Sequence, residues 1–504
     1  MSGGDATRRQ AIAQIGGLSA LAAGIGSLGT LGSPAAALAS VAAPLAGPAA
    51  LGLRHYVSRP DLTPPAVAVT SARNAPTDPR YFFLTAPGSG PGPGGGMIVD
   101  RHGDLVWFSP STDTKAKFNL NRQTYQGKPV LTWWEGVVTG GHGDGVAIIA
   151  DTSYKVLHTI RAQGGLTIDL HEFVITAKNT ALVTCYRHAS GIDLSGFGGP
   201  ADGTVMSGVI QEIDIATGDL LFQWDSLDHI DLTETEAAFS GGTAAEPFDY
   251  FHINSIQATS NGDLLISARN TWALYKVERP SGAVRWRLNG KKSDFAMGTG
   301  THFFWQHHAR LHPGELLSLF DDGAAPAEEK QSRGLILKLD TTGMKVSVNR
   351  QYTHSRPSLL AGAMGSMQVM NDGRVLVGWG TVPEFTEFSR DGKVLVDAQM
   401  PADSPSYRTF RSEWTGEPSG HPAIAVRQHG TGARVYASWN GSTQVHRWRV
   451  LAGRTAGNLS WAGAANKHSF ETTVTVPHGG PHFRAVALDS RGRVIGRSAI
   501  VRLK

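Results

Sequence analysis

The residues best suited to chemistry in this sequence are histidines that open short, strand-like segments. His171, His252 and the pair His307-His308 each stand at the start of such a segment. In a β-propeller, equivalent positions on successive blades point toward the central axis. We therefore expect these histidines to converge at one mouth of a central channel. Imidazole can bind an oxyanion, and it can also act as a nucleophile.

Arg269 adds a positive charge to this set. It ends an apolar strand, which an Asn261-Gly262 turn joins to the segment of His252. A hairpin of this kind can bring the guanidinium group near the imidazole. A buried arginine requires an anionic partner, and no acidic residue lies close by in the sequence to supply one. These side chains are suited to bind a tetrahedral oxyanion and to stabilise its transfer.

The elements that must position these residues are short β-strands separated by glycine turns. Several segments share one plan, in which a Gly turn leads into an outer strand that ends on Trp107, Trp224 or Trp286. This repetition favours a propeller whose loops vary in length. Units of this kind begin near Tyr81, Pro129, His171, His252, His307 and Ser366.

The pattern changes after about Arg411. A strand ending in Trp439-Asn440-Gly441 is followed by one that begins near Trp448, as in fibronectin-III or Ig-like domains. We predict an all-β fold, with a six-bladed β-propeller over residues 75–412 and a small C-terminal β-sandwich over residues 413–504. The sandwich either packs as a spacer or binds a cell-wall or polysaccharide ligand.

The N-terminal residues carry export signals. Arg8-Arg9 precede a weakly apolar stretch rich in Ala and Gly, and Ala37-Leu38-Ala39 offers a cleavage site. We interpret residues 1–39 as a twin-arginine signal peptide and residues 40–74 as an Ala/Pro-rich linker. The protein is then secreted, periplasmic or at the cell surface, without a transmembrane span unless the signal remains as an uncleaved anchor.

Composition excludes several other classes of protein. The net charge is +4 without a Lys/Arg run, so no nucleic-acid partner is expected. The single cysteine, Cys185, cannot form an internal disulfide, and its apolar strand predicts a buried side chain. No P-loop and no Gly-x-Ser-x-Gly motif occur, which argues against nucleotide-dependent transfer and against a serine hydrolase.

The order of three motifs carries a family resemblance. Asp249-Tyr250-x-His252-x-Asn254-Ser255, then Ser267-x-Arg269, then Gln306-His307-x-Ala309 resembles the bacterial arylsulfotransferases over about residues 75–410. The resemblance implies an exported six-bladed propeller without a cofactor. It implies that a sulfuryl group moves from an aryl sulfate to a phenol by a ping-pong mechanism through a sulfohistidine, independently of the nucleotide donor PAPS.

The resemblance also implies roles for individual residues. His307 matches the nucleophile, His252 and Arg269 match residues that bind the sulfuryl group, and His171 matches a further active-site histidine. Substrate-binding roles are expected for Asn254, His308 and Tyr250. His308 could exchange roles with His307, and Asn254 could instead be a structural turn residue. The best known family members carry an N-terminal sandwich and a disulfide that this sequence does not show, so the oligomeric state stays open.

Other interpretations remain. The chain could be a non-catalytic exported propeller that binds a cell-surface or phenolic ligand. A zinc site at His307, His308 and His312 is disfavoured, because neighbours on a strand point to opposite faces and only the last two would share a side. We therefore expect no metal. A quinone-dependent dehydrogenase is also disfavoured, because it would need tryptophan docking repeats in every blade and only about three units end on a tryptophan.

Overall fold

The computed structural model describes residues 51–71, 78–86, 94–112, 114–279 and 281–503. The predicted signal peptide lies outside these residues, as does part of the predicted linker. The described chain is all-β, as predicted, and its helical turns are three short 3-10 helices, Ser195–Phe197, Ser226–Asp228 and Leu232–Glu234. In the described part of the chain, no helix is long and apolar enough to cross a membrane.

Most strands belong to antiparallel meanders that follow one another along the chain. The first strand, β1 (Ala68–Ser71), precedes them. Sheet A contains β2 (Tyr81–Ala86), β3 (Gly95–Val99) and β4 (Leu105–Pro110). Sheet B contains β5 (Ala116–Tyr125), β6 (Lys128–Thr139), β7 (His142–Ala150) and β8 (Val156–Ile160). Sheet C contains β9 (Phe173–Ile175), β10 (Thr180–Ile192), β11 (Gly203–Asp214) and β12 (Leu220–Asp225).

Three further sheets repeat this plan. Sheet D contains β13 (Ile253–Ala258), β14 (Leu264–Ala268), β15 (Ala273–Val277) and β16 (Val284–Leu288). Sheet E contains β17 (Ala296–Met297), β18 (His307–His312), β19 (Leu316–Asp321), β20 (Arg333–Asp340) and β21 (Lys345–Thr353). Sheet F contains β22 (Ser366–Val369), β23 (Val375–Gly378), β24 (Glu384–Phe388) and β25 (Val394–Gln399).

The two ends of this series are tied together. Strand β26 (Phe410–Ser412) follows sheet F in sequence but pairs with β2 of sheet A, with Phe83 opposite Phe410. Strand β1 pairs with β25 at the outer edge of sheet F. Buried apolar clusters fill the space between each sheet and the next, and one of them joins sheet F to sheet A. The six sheets therefore pack as a closed series. Cys185 is buried between sheets B and C, as predicted.

The second unit of this series begins earlier than the sequence pattern indicated. We predicted a start near Pro129, but β5 begins at Ala116. Strand β5 carries Asn119, Asn121 and Gln123, and these polar residues interrupt the run of apolar residues by which a strand is recognised in the sequence. These side chains line a cavity inside the series of sheets, so their polarity reflects where they face.

Two more sheets form the C-terminal part of the described chain. Sheet G contains β27 (Ala423–His429), β28 (Gly432–Ser438) and β31 (Glu471–Val476). Sheet H contains β29 (Arg447–Thr455), β30 (Asn458–Asn466), β32 (His482–Leu488), β33 (Val494–Arg497) and β34 (Val501–Arg502). The two sheets share one buried apolar cluster around Trp448. Asn440 exchanges two hydrogen bonds with the backbone of Phe108, which attaches this unit to sheet A.

A buried ionic group ties several of the innermost strands together. Glu172 accepts hydrogen bonds at 2.7 Å from Arg408 and from Arg310. Arg408 also donates to the backbone carbonyl of Asn254 at 2.7 Å. Burial alone would raise the pKa of Glu172, but the two arginines lower it below its usual value. The carboxylate therefore stays charged and neutralises part of the buried positive charge.

We expect Glu172→Gln to lower the free energy of unfolding by about 3–5 kcal/mol, because it leaves the buried Arg408 and the partly buried Arg310 without their counter-charge. Denaturant unfolding followed by tryptophan fluorescence would measure this loss. The matched control is Asp391→Asn, which removes an exposed partner of Lys393 and should have no measurable effect. Equal stability of the two variants would show that Glu172 does not hold these strands together.

Candidate active site

Three histidines stand at the beginning of innermost strands in sheets C, D and E. His171 lies two residues before β9, His252 lies directly before β13, and His307 is the first residue of β18. The ring centroids of His171 and His252 are 4.9 Å apart. The ring of Tyr407 lies 5.6 Å from that of His171 and 6.3 Å from that of His307. The structure thus brings the three histidines to one end of the innermost strands.

Each of these imidazoles is oriented by a carboxylate on its Nδ1 atom. The pairs are His171 with Asp169, His252 with Asp249 at 2.5 Å, and His307 with Asp322 at 2.8 Å. A carboxylate on Nδ1 fixes both the ring orientation and the tautomer. The Nε2 atom of each ring is therefore left for the site.

The surroundings keep two of the imidazoles uncharged. Burial lowers the pKa of His307 well below its ordinary value, and the charge of Arg269 adds to this effect. Burial also lowers the pKa of His252, to about 4. At neutral pH both rings lack the second proton, so an Nε2 lone pair is available. Burial raises the pKa of the partner Asp322, while Arg269 opposes that shift.

His142 is a site residue that the sequence analysis missed. It is the first residue of β7 in sheet B, and its ring centroid lies 5.1 Å from that of His252. Its Nε2 atom lies 3.2 Å from Asp249 Oδ2. Burial opposes the charged form, but the hydrogen bond to Asp249 raises the pKa of His142 above its ordinary value. The available sequence signal was the Gly140-Gly141 turn between β6 and β7, because loops held by a rigid scaffold often carry functional residues.

The same residues are the candidates for a metal site. Ligand atoms of His142, Asp249 and His252 all lie within 4.8 Å of one another. Asp249 already bonds both imidazoles, and these two bonds lower its pKa although burial alone would raise it. The group is therefore satisfied by its own hydrogen bonds.

Arg269 faces the histidines without a carboxylate partner. Its backbone N–H donates to the carbonyl of His252 at 2.9 Å. Its guanidinium carbon lies 4.6 Å from the ring centroid of Trp305, and its Nη2 donates to the carbonyl of Gly362 at 3.1 Å. Across the described ranges, no Asp or Glu lies within ion-pairing distance of Arg269. That Arg269 binds an external anion remains a prediction, and the lack of a direct ion pair in the described residues supports it.

Aromatic side chains border this arginine. The ring of Trp272 meets the rings of Trp305 and Phe304 edge-on, at 5.1 Å and 4.9 Å. The Nε1 atom of Trp272 is buried and has no hydrogen-bond partner in the part of the chain that the structure describes. A flat apolar surface next to a cation is suited to a ligand that combines an aromatic ring with an anion.

The three predicted substrate-binding residues lie in different places. Asn254 is buried, and its Nδ2 donates at 2.7 Å to the carbonyl of Gln306, so it holds the backbone just before the His307 strand. Tyr250 lies in the core between sheets C and D, where its hydroxyl donates to Ser226. His308 bonds the carbonyl of Met367 through Nδ1 at 3.0 Å and lines a cavity together with residues of β5, β9, β22 and β26. The structure does not place Tyr250 or His308 beside the other histidines.

The chain shows similarity to a known family and to solved structures. Residues 121–400, more than half of the chain, match the model of a family described as Arylsulfotransferase (ASST). No curated protein sequence matches the chain.

Three solved structures illustrate the structural similarity. One is a protein of unknown function from Bacteroides caccae, at 12% identity over 66% of this chain and 99% of that chain, with a TM-score of 0.42. The periplasmic gluconolactonase PpgL of Pseudomonas aeruginosa is similar at 11% identity over 84% and 96%, with a TM-score of 0.29. A virginiamycin B lyase from Staphylococcus aureus is similar at 10% identity over 74% and 95%, with a TM-score of 0.28.

Proposed function

Because this chain belongs to the arylsulfotransferase (ASST) family, we propose that it moves a sulfuryl group from an aryl sulfate donor to a phenolic acceptor without PAPS. One observation carries the proposal. His307, an uncharged imidazole held by Asp322, lies with His171 and His252 beside Arg269. Arg269 forms no direct ion pair among the described residues, and the charges of Asp322 and Asp249 act on it only at longer range. A nucleophile next to an unpaired cation is suited to a transferring anionic group.

In the first half-reaction, Nε2 of His307 attacks the sulfur atom of the donor. The S–N bond forms, the S–O bond to the aryl group breaks, and the phenolate leaves with the electron pair. The imidazole becomes cationic as the bond forms, and Asp322 on Nδ1 stabilises that charge. Arg269 binds the sulfuryl oxygens with two parallel N–H groups.

In the second half-reaction, a phenolic acceptor attacks the sulfohistidine. The S–O bond to the acceptor forms and the S–N bond to His307 breaks. The phenol loses its proton as the S–O bond forms. The uncharged Nε2 of His252 accepts the hydrogen bond from the phenol and relays the proton to solvent, since its low pKa prevents it from keeping the proton. The rings of His142 and His171 lie 5.1 Å and 4.9 Å from that of His252, and we assign them hydrogen bonds to the sulfuryl oxygens.

The proposal includes the arrangement of the whole protein. Six sheets with apolar clusters between all neighbours support a six-bladed propeller over residues 75–412, which β1 and β26 close. Sheets G and H support a fibronectin-III or Ig-like sandwich over residues 413–504. We also propose a twin-arginine signal in residues 1–39 and a secreted, periplasmic or cell-surface location. The proposed linker over 40–74 ends in a part that packs on the sheets, because Leu62 and Val67 are buried and β1 pairs with β25.

A donor assay tests the function. Purified protein is given 4-nitrophenyl sulfate, and nitrophenol release is followed with and without phenol. We expect release that rises with added phenol, parallel double-reciprocal plots and formation of phenyl sulfate. No release with several aryl sulfates and acceptors, from a folded protein, would reject the proposal in favour of a propeller that only binds a phenolic or cell-surface ligand.

The pH profile of the reaction follows from the pKa of the imidazoles. Transfer needs uncharged His307 and His252, and both pKa values lie below the ordinary histidine value, with that of His252 at about 4. We expect kcat/KM to stay level from neutral pH to about pH 5 and to fall at lower pH as these rings take up protons. Measured between pH 3.5 and 8, a midpoint near the ordinary value of about 6.5 would contradict this protonation scheme.

A further inference from the structure

A cavity lies next to the buried Glu172 group, which forms part of its wall. Its volume is about 290 Å³, and residues of β5, β9, β18, β22 and β26 line it. Tyr407 contacts the rings of His171 and His307, while the next residue, Arg408, lines this cavity. The cavity and the candidate active site therefore lie on opposite sides of a layer that contains Tyr407, Arg408 and Glu172.

The wall of the cavity carries excess positive charge. Arg122, Arg310 and Arg408 line it, and Glu172 is the only acidic residue among its lining residues. Three guanidinium groups and one carboxylate leave two positive charges without compensation. Both oxygens of Glu172 are already used, one by Arg408 and the other by Arg310. Arg408 is buried, Arg310 is mostly buried, and Arg122 is partly exposed and donates to Thr124 at 3.1 Å. Positive charge that is withdrawn from water in this way is costly unless an ion neutralises it.

One donor in this wall is buried and unused. The Arg408 side chain is only 1% exposed, and its Nε–H has no hydrogen-bond partner within the described ranges. Its two terminal nitrogens donate to Glu172 and to the carbonyl of Asn254. A guanidinium group that lacks one partner in a cation-rich cavity is suited to receive an oxyanion.

Two histidines in the same wall respond to this positive potential. His308 and His312 both line the cavity. Burial lowers the pKa of each ring, and the charge of Arg310 lowers it further. In the absence of an anion these imidazoles stay uncharged, and a bound anion would favour their charged forms.

We propose that this cavity binds a small doubly charged oxyanion, such as sulfate or phosphate, through the guanidinium groups of Arg408, Arg310 and Arg122. The ion neutralises the two excess charges and supplies the acceptor that Arg408 Nε lacks. The site is separate from the active site and does not depend on the transfer reaction. It would stabilise the layer that supports the backbone of Gln306 through Asn254.

Calorimetric titration with sodium sulfate at constant ionic strength tests the site. The titration uses the Arg269→Gln variant, so that the active site does not capture the ion. We expect one sulfate to bind, and phosphate to bind in the same way. Adding Arg122→Gln should weaken binding about tenfold or more, because one charge-assisted contact is lost. Adding Arg285→Gln, on the outer strand of sheet D, should leave the affinity unchanged.

A second variant keeps the test independent of folding. Arg310→Lys retains the charge opposite Glu172 but loses the planar fork, and it should also weaken sulfate binding. In the wild-type protein, the imidazole resonances of His308 and His312 should shift as sulfate is added. Absence of binding, affinity unchanged by Arg122→Gln and Arg310→Lys, or an equal response to chloride would overturn the proposal. Loss of transfer activity alone would not affect it.

Discussion

Replacing His307 by alanine is expected to abolish sulfuryl transfer, with kcat/KM lower by more than about 10³-fold. The imidazole supplies the only nucleophile that the mechanism uses, and Asp322 at 2.8 Å orients it. Initial rates with 4-nitrophenyl sulfate and phenol would measure the loss. Transfer that persists in a folded His307→Ala variant would move the nucleophile to His252, since His308 faces the carbonyl of Met367 instead of the other histidines.

The intermediate offers a direct test of the same residue. After incubation with donor alone, peptide mass spectrometry should find one sulfuryl group on His307, because fragmentation distinguishes it from His308. His302→Ala is the matched control, since His302 is exposed, five residues earlier, and bonded to Asn289 outside the site. This control should keep both the rate and the modification. A sulfuryl group found on another histidine would contradict the assignment.

The positions of the three histidines could be anticipated from the sequence because each belongs to a repeated unit. A residue at the start of an innermost strand keeps the same place in every unit, so His171, His252 and His307 approach each other when the sheets pack in series. The carboxylate partners of two of these histidines could also be predicted, because they lie close by in the sequence. Asp169 and Asp249 precede their histidines by two and three residues, within reach of one turn.

The remaining site residues come from packing between separate sheets, which spacing along the chain does not reveal. Asp322 follows His307 by 15 residues and reaches it from the end of the neighbouring strand β19. His142 reaches His252 from sheet B, and Arg408 reaches Glu172 across 236 residues. No local pattern predicts contacts of this kind, because they depend on how the series of sheets closes.

The pair His307-His308 shows how one backbone angle changes a site prediction. His308 has a φ of 53°, and the pairing of β18 with β19 shifts register between His307 and Arg310. The sequence predicts two neighbouring histidines that could share a role. Instead, the irregular backbone directs one to Asp322 and the other to the carbonyl of Met367. A non-glycine residue in the left-handed region is unfavourable, and such residues concentrate at functional sites.

Arg269→Gln is expected to lower kcat by about 10²–10³-fold, because the guanidinium group stabilises the charge that spreads over the sulfuryl oxygens in the transition state. Arg269→Lys should recover only part of this loss, since an ammonium group keeps the charge but cannot donate two parallel hydrogen bonds. Rapid-quench measurement of sulfohistidine formation would locate the effect in the first half-reaction.

The folded state of these variants needs its own control, because Arg269 also contacts Trp305 and the carbonyl of Gly362. Arg285→Gln removes a half-exposed arginine that pairs with Glu278 and Asp263 on the outer part of the same sheet. Asp263 keeps Lys276 as a second cationic partner, and the variant should leave transfer unchanged. Near-ultraviolet circular dichroism would report whether the aromatic packing around Trp305 survives in each variant. If folded Arg269→Gln transfers within threefold of the wild-type rate, the guanidinium group beside His307 does not stabilise the transferring group. Hydrogen bonds from the imidazoles of His142 and His171 would then be the next interactions to test by substitution.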